Sequence, residues 1–100
     1  MTTFLVEAPM VFITHIRLSP PSSSRHEHIT DVRWRNPDTA KVGDSTVGQM
    51  VDWLRKPENV AKVTDGTRTV DVGVVEAKPP FIRTHADGVW SNNLLALPRF

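Results

Sequence analysis

The polar and apolar positions of MVFITHIRL (10–18) mark the first firm strand: a β-branched, apolar run with residues alternating in direction. Unbroken alternation places Phe12, Thr14, Ile16 and Leu18 on one side and Val11, Ile13, His15 and Arg17 on the other. SPPSSS (19–24) is a loop, with two prolines that fix φ and three solvated serines. HEHITDVRWR (26–35) predicts a second strand whose pattern slips. His26, His28, Val32 and Trp34 share a face, while Ile29 falls on the other. Either both faces are partly covered or a bulge lies near Thr30–Asp31. NPDTAKVGD (36–44) reads as a polar loop.

The period then changes. STVGQMVDWLRKP places Val47, Met50, Val51 and Leu54 at i, i+3, i+4 and i+7, the apolar stripe of a helix of about three turns. Thr46 and Gln49 have the spacing of a capping box, and Pro57 stops the helix. Trp53 is expected at the border of the stripe. Gly48 weakens the helix by roughly 1 kcal/mol relative to Ala, which close packing would explain. Next comes a hairpin (59–77) around Asp65-Gly66, whose second arm alternates Val70, Val72 and Val74 with Thr69, Asp71 and Gly73. FIRTHA (81–86) is a further strand, and Asp87-Gly88 turns it into a partner starting at Val89. Residues 1–9 read as a tail or an added edge strand, since Pro9 argues against a central one.

The expected fold is therefore α+β. About five or six mainly antiparallel strands, in the order β-β-α-β-β-β-β, carry one amphipathic helix on one face. A sheet with one helix is thinly covered. The closing segment from Trp90 onward, with Leu94, Leu95, Leu97 and Phe100, is expected to fill the open end of the core. Trp34 and Trp53 are also assigned to structure, Asp87 and Gly88 to the turn, and Asn93 to a local cap before the apolar run.

Composition narrows the function. One hundred residues suit a single domain, with little room for an internal catalytic cavity. Without cysteine there is no disulfide, thiolate metal site or thiol nucleophile. The lack of cross-links fits a cytoplasmic location, and no targeting segment or membrane span is read. A net charge of +1 is low for a nucleic-acid module, so such a partner would need a local basic patch.

Two stretches, RHEHITDVRW and IRTHADGVWSNNLLALPRF, joined by a helix of the form S-x-x-x-Q-M-V-D-W-L, resemble a small bacterial and bacteriophage family, the domain of unknown function DUF3892. The similarity runs from about Phe12 to Phe100. It rests on His26, Glu27, His28, Ile29 and Trp34, and on Thr84, Ala86, Asp87, Gly88, Trp90, Asn93, Leu94, Leu95, Leu97 and Pro98. Ser91 and Asn92 depart from it, being less acidic than expected. The resemblance implies a compact intracellular domain, and brings no reaction, cofactor or catalytic residue.

Candidate chemistry is sparse. His26 and His28, at i and i+2 on a strand, could present two imidazoles to a metal, with His15 or with His85 and Asp87 completing a site. No G-x-S-x-G elbow, P-loop or G-x-G-x-x-G is present, so no catalytic residue or cofactor is assigned. Arg17, Arg33, Arg35, Arg83 and His85, together with His15, could form a basic sheet face if their strands adjoin. Phe81 is then the only aromatic strand residue on that face, with Glu27 and Asp31 as balancing charges. The expectation is a non-catalytic module that binds a macromolecule, in the first place a protein, or a second copy of itself. In a phage setting the protein could belong to the host. A nucleic-acid accessory protein and a small metal-dependent enzyme are the alternatives.

Overall fold

The computed structural model describes residues 10–64, 66–86, 89–91 and 93–100. The expectations for residues 1–9, Asp65, Asp87, Gly88 and Asn92 lie outside the described residues. The architecture is α+β, as the pattern predicts. Among the described residues, seven strands form one sheet: β1 (Met10–Leu18), β2 (Ile29–Arg35), β3 (Val42–Thr46), β4 (Val60–Thr64), β5 (Thr69–Val75), β6 (Phe81–Ala86) and β7 (Val89–Ser91). Their spatial order is β3-β2-β1-β4-β5-β6-β7. The one α-helix among the described residues, α1 (Val47–Leu54), follows β3. It carries the chain from one sheet edge to the far side of β1, so β1 and β4 pair in parallel while the other pairs are antiparallel.

Two threonines set the phase of the central strands. In β1 the register skips Thr14, between the pairs Ile13↔Trp34 and His15↔Arg33. In β2 it skips Thr30, between Arg17↔Asp31 and Leu18↔Ile29. The second irregularity is the bulge expected near Thr30–Asp31. The first overturns the uniform alternation expected for β1. Val11 and Ile13 are buried before it, Ile16 and Leu18 after it, and Phe12, His15 and Arg17 take the opposite face. Each inserted threonine donates its hydroxyl to a carbonyl of the partner strand: Thr14 Oγ1 to Arg33 O (3.2 Å) and Thr30 Oγ1 to Arg17 O (3.3 Å). A bulged residue leaves the ladder locally broken, and the hydroxyls supply replacement bonds at those points.

Strand β3 lies where a loop and a longer helix are expected. Gly, Asp and Ser have poor strand propensity, so pattern alone does not reveal it. It forms because β2 offers specific partners. The Trp34 indole lies over Gly43 and donates Nε1–H to Ser45 Oγ at 3.0 Å, while Arg33 grips Asp44 through two nitrogens at 2.8 and 3.3 Å. A Cβ on Gly43 would sit 2.5 Å from the indole, so only glycine fits. The capping box forms as expected: Gln49 N–H donates to Thr46 Oγ1 (3.1 Å) and Thr46 N–H to Gln49 Oε1 (2.9 Å). Val47, Met50 and Val51 are buried, and Trp53 and Leu54 border them. Gly48 is exposed, with nothing nearer a hypothetical Cβ than Thr46 Oγ1 at 3.9 Å, so close packing does not explain it.

The closing segment divides its work. A 3-10 turn (Asn93–Ala96) drives Leu94 to zero exposure, with Leu95 and Leu97 packed beside the core. Thr84 Oγ1 accepts from Leu94 N–H at 3.4 Å and shares a bond with Ser91 Oγ at 2.9 Å. Residues 98–100 then run alongside β1 beyond the three positions where it pairs with β4. Ile16 N–H donates to Pro98 O (3.0 Å) and Phe100 N–H to Ile16 O (3.1 Å). Trp90 corrects the expectation of a core anchor. It pairs with His85 on the face away from the helix and is 43% exposed.

Two glycine substitutions are expected to have opposite signs. Gly43→Ala must displace the Trp34 ring and costs about 1–3 kcal/mol, whereas Gly48→Ala adds about 0.5–1 kcal/mol. Urea unfolding of both variants checks this. Leu94→Ala is expected to cost about 2–5 kcal/mol and Trp90→Ala less, measured in the same way.

Candidate functional site

α1 and Leu94 cover one face of the sheet, and among the described residues no helix covers the other, the open face. One cross-strand row spans it. Reading by register, Val42, Arg35, Phe12, Lys62, Asp71, His85 and Trp90 stand side by side on β3, β2, β1, β4, β5, β6 and β7. At about 4.8 Å per strand, Phe12 and Trp90 lie roughly 19 Å apart along the row. The Arg35 guanidinium sits 5.8 Å from the Phe12 ring centre, and the His85 ring meets Trp90 edge-on at 5.2 Å. Gly73 makes room for this last pair. A Cβ there would come within 3.1 Å of His85 and 3.4 Å of Trp90.

Two quadrants flank the row. On the β1–β2 side, Arg33, His15 and Arg17 surround Phe100, and Asp44 is bound to Arg33. Both the Arg17 and Arg33 guanidinium carbons lie 4.4 Å from the Phe100 ring centre, and His15 approaches its edge at 6.4 Å. On the β5–β6 side, Arg83 and Phe81 stand opposite Gly73 and Val75, and Arg83 Nε donates to Ser91 O at 3.1 Å. The open face thus carries Phe12, Phe81, Phe100 and Trp90, all half-buried or exposed. It carries five cationic side chains against the acids Asp31, Asp44 and Asp71. Asp44 is held below the usual carboxylate range, first by its bonds to Arg33 and then by the charges of Arg33, Arg17 and His15. Lys62 pairs with Asp71 at 2.6 Å.

The structure brings Arg17, Arg33, Arg35, Arg83, His15 and His85 to one face, with Trp34 on the other. It does not bring them together as one patch, because β4 and β5 separate β1 from β6. Of the expected balancing acids, Asp31 stands opposite Arg17 on this face, whereas Glu27 pairs with Arg25; Asp44 and Asp71 add to the balance. Sequence reasoning missed Phe12, Phe100 and Trp90 because a bulge, a tail pairing and a hairpin register placed them. Lys62 was visible in principle, since it alternates with the buried Ala61 and Val63.

His26 and His28 are not strand neighbours. They occupy a 3-10 turn (His26–His28), where two residues apart no longer means one face. His28 Nδ1 shares a bond with Ser23 Oγ at 2.7 Å, and His26 is buried at 6% exposure. Among the described residues, no group of three or more His, Asp or Glu side chains could hold a metal. Buried His26 Nε2 has no hydrogen-bond partner among them. On the helix side, Trp34, Trp53, Val11 and Met50 line a hollow of about 530 Å³. No described helix is long and apolar enough to cross a membrane.

A model of the family described as protein of unknown function (DUF3892) matches residues 12–98. No curated protein and no solved structure matches the chain.

The site also carries a pH prediction. Burial, and secondarily the charge of Arg83, push the His26 pKa below the ordinary 6.5, with Glu27 opposing. The fold favours the neutral ring, so on acidification the unfolded chain takes up the proton first. This contribution to stability is full above about pH 6.5 and is lost progressively below it. Urea midpoints at pH 8 and pH 5.5 are expected to fall with pH, with a smaller fall in His26→Gln.

Proposed function

We propose that this protein, which belongs to the DUF3892 family, is a non-catalytic binding module whose open sheet face takes single-stranded nucleic acid. The observation that carries this reading is the row from Arg35 and Phe12 to His85 and Trp90, flanked by Arg17, Arg33 and Arg83. Bases stack on aromatic rings presented by a sheet, and cations along the same surface meet the phosphates. A span of roughly 19 Å between Phe12 and Trp90 suits a short run of nucleotides. The face combines aromatic rings with an excess of positive charge, as an anionic, base-bearing chain requires, although the net charge of the whole protein is only +1. A cytoplasmic location belongs to the same reading and accords with the lack of cysteine.

A protein partner on this face is the alternative outcome. The decisive measurement is fluorescence anisotropy of a labelled oligothymidine, about a dozen nucleotides long, titrated at several salt concentrations. If three or four phosphates are met, the log–log salt slope is expected near −2 to −3. Trp90→Ala and Phe12→Ala are expected to weaken binding by about five- to a hundredfold each. The pair Arg33→Glu and Arg35→Glu is expected to abolish it. No binding at 50 mM salt, together with capture of a protein from nuclease-treated lysate through the same residues, would replace nucleic acid by protein.

A further inference from the structure

We infer that Arg17 and Arg33 form a seat for one nucleobase, and that the ring of Phe100 occupies this seat until an incoming strand displaces it. The inference rests on the reading of the open face given above and specifies one site within it. Three observations support it.

The contacts of the ring come first. Both guanidiniums lie 4.4 Å from its centre, and the His15 ring approaches its edge. A guanidinium plane is also a surface on which nucleobases stack. The same two side chains that hold the phenyl ring are thus chemically suited to a planar base, and they carry the positive charge that its phosphate needs.

The anchoring of the segment is the second. Residues 98–100 are held to β1 through the backbone, by Ile16 N–H to Pro98 O and Phe100 N–H to Ile16 O, and Arg17 Nε donates to the Phe100 carbonyl at 2.9 Å. None of these bonds uses the phenyl group. Leu94, which fills the core, lies six positions earlier. The ring can therefore swing away while the segment stays in place.

The third is space. A hollow of about 200 Å³ lies beside the ring, lined by Arg17, Leu18, Pro21, Arg99 and Phe100 itself. The ring is only half-buried, so it has somewhere to go and is not locked by packing.

The experiment compares wild-type protein with Phe100→Ala and Phe100→Trp in the same anisotropy titration, with urea unfolding as the check on folding. Removing the competing ring is expected to tighten oligonucleotide binding by about three- to tenfold, with the unfolding midpoint little changed. A larger competitor, Trp, is expected to weaken it. Binding by the wild type that weakens in Phe100→Ala and strengthens in Phe100→Trp would make Phe100 a stacking surface and overturn the inference alone. Binding that is equal in all three proteins would also overturn it alone. Absence of binding in all three would overturn both the inference and the reading of the open face.

Discussion

The phase of β1 governs the rest of the molecule. A strand with strict two-residue alternation cannot place Val11, Ile13, Ile16 and Leu18 in the same core, because the first pair and the second differ in parity. The extra residue at Thr14 resolves the conflict, and the extra residue at Thr30 in β2 keeps the neighbouring strand in step at its other end. Both positions carry the residue type whose hydroxyl can replace a missing ladder bond. Once β1 is rephased, Phe12, His15 and Arg17 have only the helix-free face available. The aromatic and basic character of that face follows from how the hydrophobic core is satisfied.

Much of this architecture is legible in the chain. The switch from a two-residue to a 3.6-residue period identifies α1, and Thr46 with Gln49 marks its start. The Val70–Val72–Val74 alternation identifies β5. These signals are local, carried by neighbours in sequence. What escapes is non-local. Strand β3 exists because the Trp34 indole needs a glycine and a serine opposite it. The parallel β1–β4 pair depends on where the helix lands. Trp90 looks like a core residue by type, yet its side is set by the β6–β7 register, which matches it to His85. A tryptophan's size says how much area it can bury and nothing about which face it takes.

The site was legible to the same extent. Alternation assigned the odd-numbered arginines and histidines to one face correctly. It could not reveal that two strands intervene between the halves, nor that Phe12 and Phe100 join them. The electrostatic picture shifts as well. Asp44 and Asp71, distant in sequence from their partners, moderate Arg33 and Lys62 through exposed pairs, which are individually weak and sensitive to salt. Such pairs leave the cations available to a stronger anion.

The seating of residues 98–100 against β1 bears on how the chain is made. β1 leaves the ribosome before the other described strands, and the contact between Arg17 and Phe100 closes across 83 residues of sequence. Until those late residues emerge, half of one edge of a central, apolar strand has unpaired backbone donors and acceptors. Exposed edges of this kind recruit other strands. Nascent chains of this protein thus have a window, set by translation speed, in which β1 is open to wrong partners.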